Sequence, residues 1–132
     1  MTSQKPINTS KVIETDVLIA THISDSIVII RAKPHVHIDR NQAALSNQLI
    51  QDSMPGNYGM IIDREADYSI MPVEVFDVLN NIETLKAIAI VVHRDNSAVA
   101  TNIDKLLSHV PLEVFFSVDE AKNWLDQIPE LQ

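Results

Sequence analysis

Four charged side chains stand close together in this chain: Asp63, Arg64, Glu65 and Asp67. They follow an apolar run, Tyr58 to Ile62, and so fall where a strand would end. Carboxylates gathered there could hold a cation or work as acid and base. The plainer alternative is a solvated acidic loop. A second polar group, His93, Arg94 and Asp95, follows the longest apolar run, Leu85 to Val92. If both runs are parallel strands, the two groups share one sheet edge, the place where open α/β proteins keep their ligands. Arg94 could hold an anion there, and Asp95 suits the cap of a following helix.

His35 and His37 share a face if their segment is extended, because side chains alternate along a strand. With Asp39, or with His93 brought from elsewhere, they could begin a metal site. The plainer reading is loop polarity ahead of a helix cap. Ser69 precedes a helix start at Pro72, where a phosphate would meet free N–H groups and a favourable dipole. Its alternative is a loop serine that helps to start the helix. Met54 and Met60, beside Pro55-Gly56-Asn57-Tyr58, could line a pocket for a lipid-like ligand or be ordinary core.

Composition narrows the chemistry further. The absence of cysteine excludes a thiol nucleophile, a zinc–thiolate site and a disulfide framework. Two glycines leave no Gly-rich phosphate loop. No Ser-His-Asp order or nucleophile elbow appears. The formal net charge of -8, from 18 acidic and 10 basic residues, disfavours nucleic acid and anionic membrane surfaces as partners. No apolar run approaches the ~20 residues of a membrane span, and the first eleven residues lack an apolar signal region. The expectation is a cytoplasmic protein without membrane insertion or cofactor.

The elements that must position these residues follow from periodicity. Residues 1–10 are polar and expected to be flexible, and 11–132 suit one domain. Val12 to Thr21 and Ile27 to Ala32 read as a hairpin around a short polar loop. Asp39 and Gln42 match a capping box for a helix to about Ser53, with Ala43, Ala44, Leu45, Leu49 and Ile50 on one apolar face. Tyr58 to Ile62 is a central strand, and Pro72 suits the first position of the next helix. Leu85 to Val92 reads as a parallel strand covered on both faces. A helix from about Asn96 would turn Val99, Ile103, Leu106 and Leu107 inward. Leu112 to Phe116 makes a last strand. Ser117 and Glu120 form a capping box, Phe116 and Ala121 occupy staple positions, and Ala121, Trp124, Leu125 and Ile128 face inward. The order is ββαβαβαβα, a mixed five-stranded sheet with right-handed crossovers.

With those elements placed, the chain resembles the small bacterial SpoIIAA-like (STAS-like) proteins, whose fold is akin to CRAL-TRIO domains. The resemblance rests on GMIID at 59–63, MPVEVFDVLN at 71–80, AIAIVVHRDN at 87–96 and PLEVFFSVDEAKNWL at 111–125, and spans about residues 12 to 128. It implies a non-enzymatic regulatory domain that binds a protein partner or pairs with itself as a homodimer. The CRAL-TRIO kinship implies, as the alternative, a small-ligand or lipid binder. An enzyme working from the Asp63 and His93 edge is the third reading. In the anti-sigma-factor antagonists of this kind a partner kinase phosphorylates a serine in an Asp-Ser-Ser-Gly pattern. The equivalent stretch here reads ADYSIMPV, so that Ser69 is the one substitute.

Overall fold

The computed structural model describes residues 11–93 and 98–132, the side chains of 98–101 excepted. Strands β1 (Val12–Glu14), β2 (Leu18–Ser24), β3 (Ile27–Ala32), β5 (Tyr58–Asp63), β7 (Leu85–Val91) and β8 (Leu112–Phe115) form one sheet in the order β1-β2-β3-β5-β7-β8. The first three pair antiparallel, and β3, β5, β7 and β8 pair parallel. A second, two-stranded parallel pair joins β4 (His37–Ile38) to β6 (Ser69–Ile70).

Among the described residues the main sheet thus has six strands, one more than the periodicity predicts. The expected single strand over 12–21 breaks at Thr15. Its hydroxyl accepts from the Val17 and Leu18 amides at 3.3 and 3.2 Å, and its own amide donates to Leu18 O at 2.9 Å. This side-chain-to-backbone turn folds the run back on itself as β1 against β2.

Both faces of the parallel strands are covered, as continuous Ile/Val runs require. Val28, Ile30, Met60, Ile88 and Ile90 pack on one side with helices α1 (Arg40–Ser53) and α2 (Pro72–Leu79). Ile27, Ile29, Ile61, Ala87 and Ala89 pack on the other with Ala121 and Leu125 of α4 (Val118–Leu125). Each fully buried Ile or Leu contributes roughly 1.5–3 kcal/mol. Gly59 marks the tightest approach, since a Cβ there would lie 2.8 Å from Leu125 Cδ2 and 2.9 Å from Leu131 Cδ1.

The N-cap bonds form as the spacing predicts, without the reciprocal bond of a full capping box among the described residues: Glu120 Oε1 accepts from Phe116 N at 3.4 Å. Asp39 accepts from the Gln42 amide at 3.0 Å, Ser117 accepts from the Glu120 amide at 3.1 Å, and Pro72 opens α2. Three packing expectations fail. Ala44, Leu45 and Leu49 of α1 are exposed, and Ser46 and Asn47 turn inward beside Ala43 and Ile50, which are buried as expected. In α3 (Ala98–Leu107), Ile103 and Leu106 face solvent, Asp104 is buried and Leu107 is partly buried. Val99 has no described side chain. Phe116 is 65% exposed and makes no staple. In each helix two stripes compete, and the neighbouring element selects the one whose small or polar members fit: Ser46 bonds Thr15 at 2.9 Å, and Asp104 meets Arg64. No helix among the described residues is long and apolar enough to cross a membrane.

Candidate functional site

The carboxyl ends of β5 and β7 lie side by side, with Asp63 opposite Val91 and the Arg64 amide donating to Val91 O at 2.9 Å. This register brings Asp63 and His93 together. Asp63 is 4% exposed, and its two oxygens have separate partners. Arg31 Nε, from the neighbouring strand β3, donates to Oδ2 at 3.0 Å, and His93 Nε2 lies 2.5 Å from Oδ1. Glu65, two residues on, brings a carboxylate oxygen within 4.8 Å of the Asp63 and His93 ligand atoms.

Arg64 takes a different direction. Its guanidinium turns to Asp104 on α3, with Nη2 2.5 Å from Oδ2, and both side chains are largely enclosed. Burial pushes the Asp104 carboxyl above its ordinary range, with Arg64 opposing the shift. Burial likewise raises the Tyr68 hydroxyl, again opposed by Arg64.

Behind Arg64 and Tyr68 lies a cavity of about 60 Å³ between the sheet and helices α1 and α2. Leu18, Ile30, Met60 and Ile62 line it from the sheet, Phe76 and Leu79 from α2, and Ile38 and Ile70 from the small strand pair. Asn47 enters the same wall from α1 and is 6% exposed. Its amide nitrogen donates to Ala43 O at 2.8 Å, and its oxygen has no hydrogen-bond partner among the described residues. Buried polar atoms are ordinarily satisfied by protein or ordered water, so this oxygen remains open to a donor.

The remaining candidates separate. Ser69 lies in β6, with Oγ 2.8 Å from His37 Nδ1. It does not start α2, whose N-cap is Met71 without a side-chain cap bond. His35 adopts φ 64°, and its amide donates to Asp67 O at 2.7 Å. That left-handed residue breaks the alternation on which a shared His35–His37 face depended. Arg94 and Asp95 lie outside the described residues. Met54 and Met60 are both buried in the core, and Met60 also lines the cavity.

Asn47, Asp104 and Arg31 were not among the candidates read from sequence. For Asn47 a signal existed: Ala43, Asn47 and Ile50 recur at helical spacing, which puts a polar group in an apolar stripe. Asp104 precedes Leu107 by three residues in the same way.

No family model matches the chain, and no curated protein matches it. Among solved structures it is similar to an uncharacterised protein of the DUF3478 family with a SpoIIAA-like fold, from Shewanella loihica PV-4. The TM-score is 0.59 at 13% identity, over 92% of this chain and 99% of that one. The chain has a SpoIIAA-like fold. The fold expected from the sequence is therefore borne out, with six strands in the main sheet where five were expected. At this identity the likeness extends to the fold and stops there.

Proposed function

We propose that the chain is a small-molecule binding domain whose ligand enters the cavity between the sheet and helices α1 and α2. The unpartnered Asn47 oxygen in an apolar wall carries this reading. The ligand has an apolar body and one hydrogen-bond donor, a hydroxyl or an N–H, that meets Asn47 Oδ1. Arg64 and Tyr68 supply further polar wall. A cavity of about 60 Å³ is smaller than the ~150 Å³ that admits benzene. The ligand is therefore short, or its longer apolar part makes α1 and α2 move apart.

Two measurements test the proposal. Native mass spectrometry of the purified protein should show a retained small molecule. Methyl NMR during titration with phenol and with short alcohols should move the Ile30, Ile38 and Ile62 signals. An equal response to benzene would remove the role given to Asn47, and no response to any of them would refute the binding site.

We infer a second role, docking to a protein partner or to another copy, from one specific observation. Ile103 and Leu106 of α3 are 49% and 86% exposed, and Met71 and Val73 of α2 are exposed as well. Sedimentation of the parent and of Leu106→Glu tests self-association, and capture from a native lysate tests a foreign partner. A monomer that captures nothing refutes this role.

A further inference from the structure

We propose that Asp63, Glu65 and His93 form a binding site for one divalent transition-metal cation. The site is separate from the cavity and rests on different observations. Two of its three ligands are set by the sheet itself. Asp63 is the last residue of β5, and His93 stands two residues beyond the end of β7, its pairing neighbour. Their ligand atoms and a Glu65 carboxylate oxygen all lie within 4.8 Å of one another, so that a small side-chain movement brings all three to the ~2.0–2.2 Å of a metal bond.

The donors are one imidazole nitrogen and two carboxylates. Imidazole suits zinc, nickel, iron or copper, the two carboxylates also admit manganese, and calcium and magnesium favour all-oxygen sites. Three protein ligands leave further coordination positions for water or for a second molecule.

The surroundings also fit a cation. Arg31 Nε holds Asp63 Oδ2 at 3.0 Å, which orients the carboxylate, while Oδ1 bonds His93 Nε2 at 2.5 Å, a bond that an entering cation would replace. Metal-ligating carboxylates are commonly fixed by such outer hydrogen bonds. Among the described residues the other nearby arginine, Arg64, is turned away to Asp104. Among them, two carboxylates, Asp63 and Glu65, stand against the single guanidinium of Arg31. His93 and Glu65 are exposed enough for an ion to reach them from solvent.

Isothermal titration of the full chain with MnCl₂, and separately with ZnCl₂, after chelator treatment and dialysis tests the site. One ion per chain is expected, with MgCl₂ binding at least tenfold more weakly. His93→Ala and Glu65→Gln should each weaken manganese binding about tenfold or more. Both side chains are solvent-facing, so these variants should keep the parent circular dichroism. Asp63→Asn removes a buried group and could unfold the chain, so the test rests on the other two variants. Manganese should also broaden the His93 ring signals in NMR before those of any other histidine. The proposal is overturned if neither ion binds, if His93→Ala binds as tightly as the parent, or if a His35→Ala/His37→Ala double variant abolishes the heat.

Discussion

Asn47→Leu should make the protein more stable and unable to bind its ligand. Asn47 lies on the inward face of α1, and its oxygen is buried without a donor. An orphaned buried acceptor costs about 1–3 kcal/mol. Leucine removes that cost and gains a few tenths of a kcal/mol in helix propensity. Its extra apolar volume can settle into the adjoining cavity of about 60 Å³ without overpacking. Against this stands the Asn47 Nδ2 bond to Ala43 O at 2.8 Å, a contribution of about 1 kcal/mol. Ala43 O belongs to the helix ladder and keeps its backbone partner. The balance is a gain of about 1–2 kcal/mol. At roughly 2.1 cal/mol/K per residue, 132 residues give an unfolding entropy near 0.28 kcal/mol/K. Tm should therefore rise by about 4–7 °C, read by calorimetry, and the methyl shifts caused by phenol should vanish. Stability gained at the expense of binding is the signature of a functional polar group. A lower Tm would show that the oxygen is satisfied in solution, and an undiminished phenol response would show that the ligand does not use it.

Other substitutions probe the same structure. Arg64→Met leaves Asp104 buried without its counter-charge and should cost about 2–3 kcal/mol at pH 7, less than a fully buried pair because Arg64 is 14% exposed. The Asp104 carboxyl already lies above its ordinary value, and losing Arg64 raises it further. Its ionised form therefore weighs against folding at neutral pH, and this penalty fades as the pH falls through the folded pKa. The gap between variant and parent in urea unfolding should shrink from pH 7 to pH 4, and a constant gap would refute the charge argument. Leu106→Ser should change Tm by less than about 2 °C, whereas Leu107→Ser should cost about 1–3 kcal/mol. The reverse ranking would mean that α3 is turned about its axis. Gly59→Ala should cost about 1–3 kcal/mol in urea unfolding, because Leu125 and Leu131 must give way to the new methyl. No loss would mean that α4 sits further from β5.

Much of the fold was legible in the chain because its signals are local. Apolar runs at 27–30, 58–62 and 87–91 are continuous, as parallel strands buried on both faces must be. Asp39, Pro72 and Ser117 act through bonds or dihedral preferences within one helical turn. The residues around 59–96 and 111–125 carried the resemblance to SpoIIAA-like proteins, and the structural likeness agrees. Asp63 and His93 could be placed at one sheet edge from strand order alone, because parallel neighbours end on the same side.

What periodicity could not settle was the rotation of α1 and α3. Both helices carry apolar residues on more than one stripe, and which stripe is buried depends on partners distant in sequence: Thr15 for Ser46, Arg64 for Asp104. The left-handed turn at His35 and the short pair β4–β6 arise likewise from backbone bonds between residues more than 30 apart, as between His37 and Ser69. The sequence by itself determined the strands β2, β3, β5, β7 and β8, the N-caps Asp39 and Ser117, and the edge that holds Asp63 and His93. Only the tertiary structure decided that Arg64 turns to α3, that Glu65 joins Asp63 and His93, and that Asn47 is buried in the lining of an apolar cavity. Helix rotation, loop closure and cavity volume follow from packing between distant segments, and local pattern does not encode them.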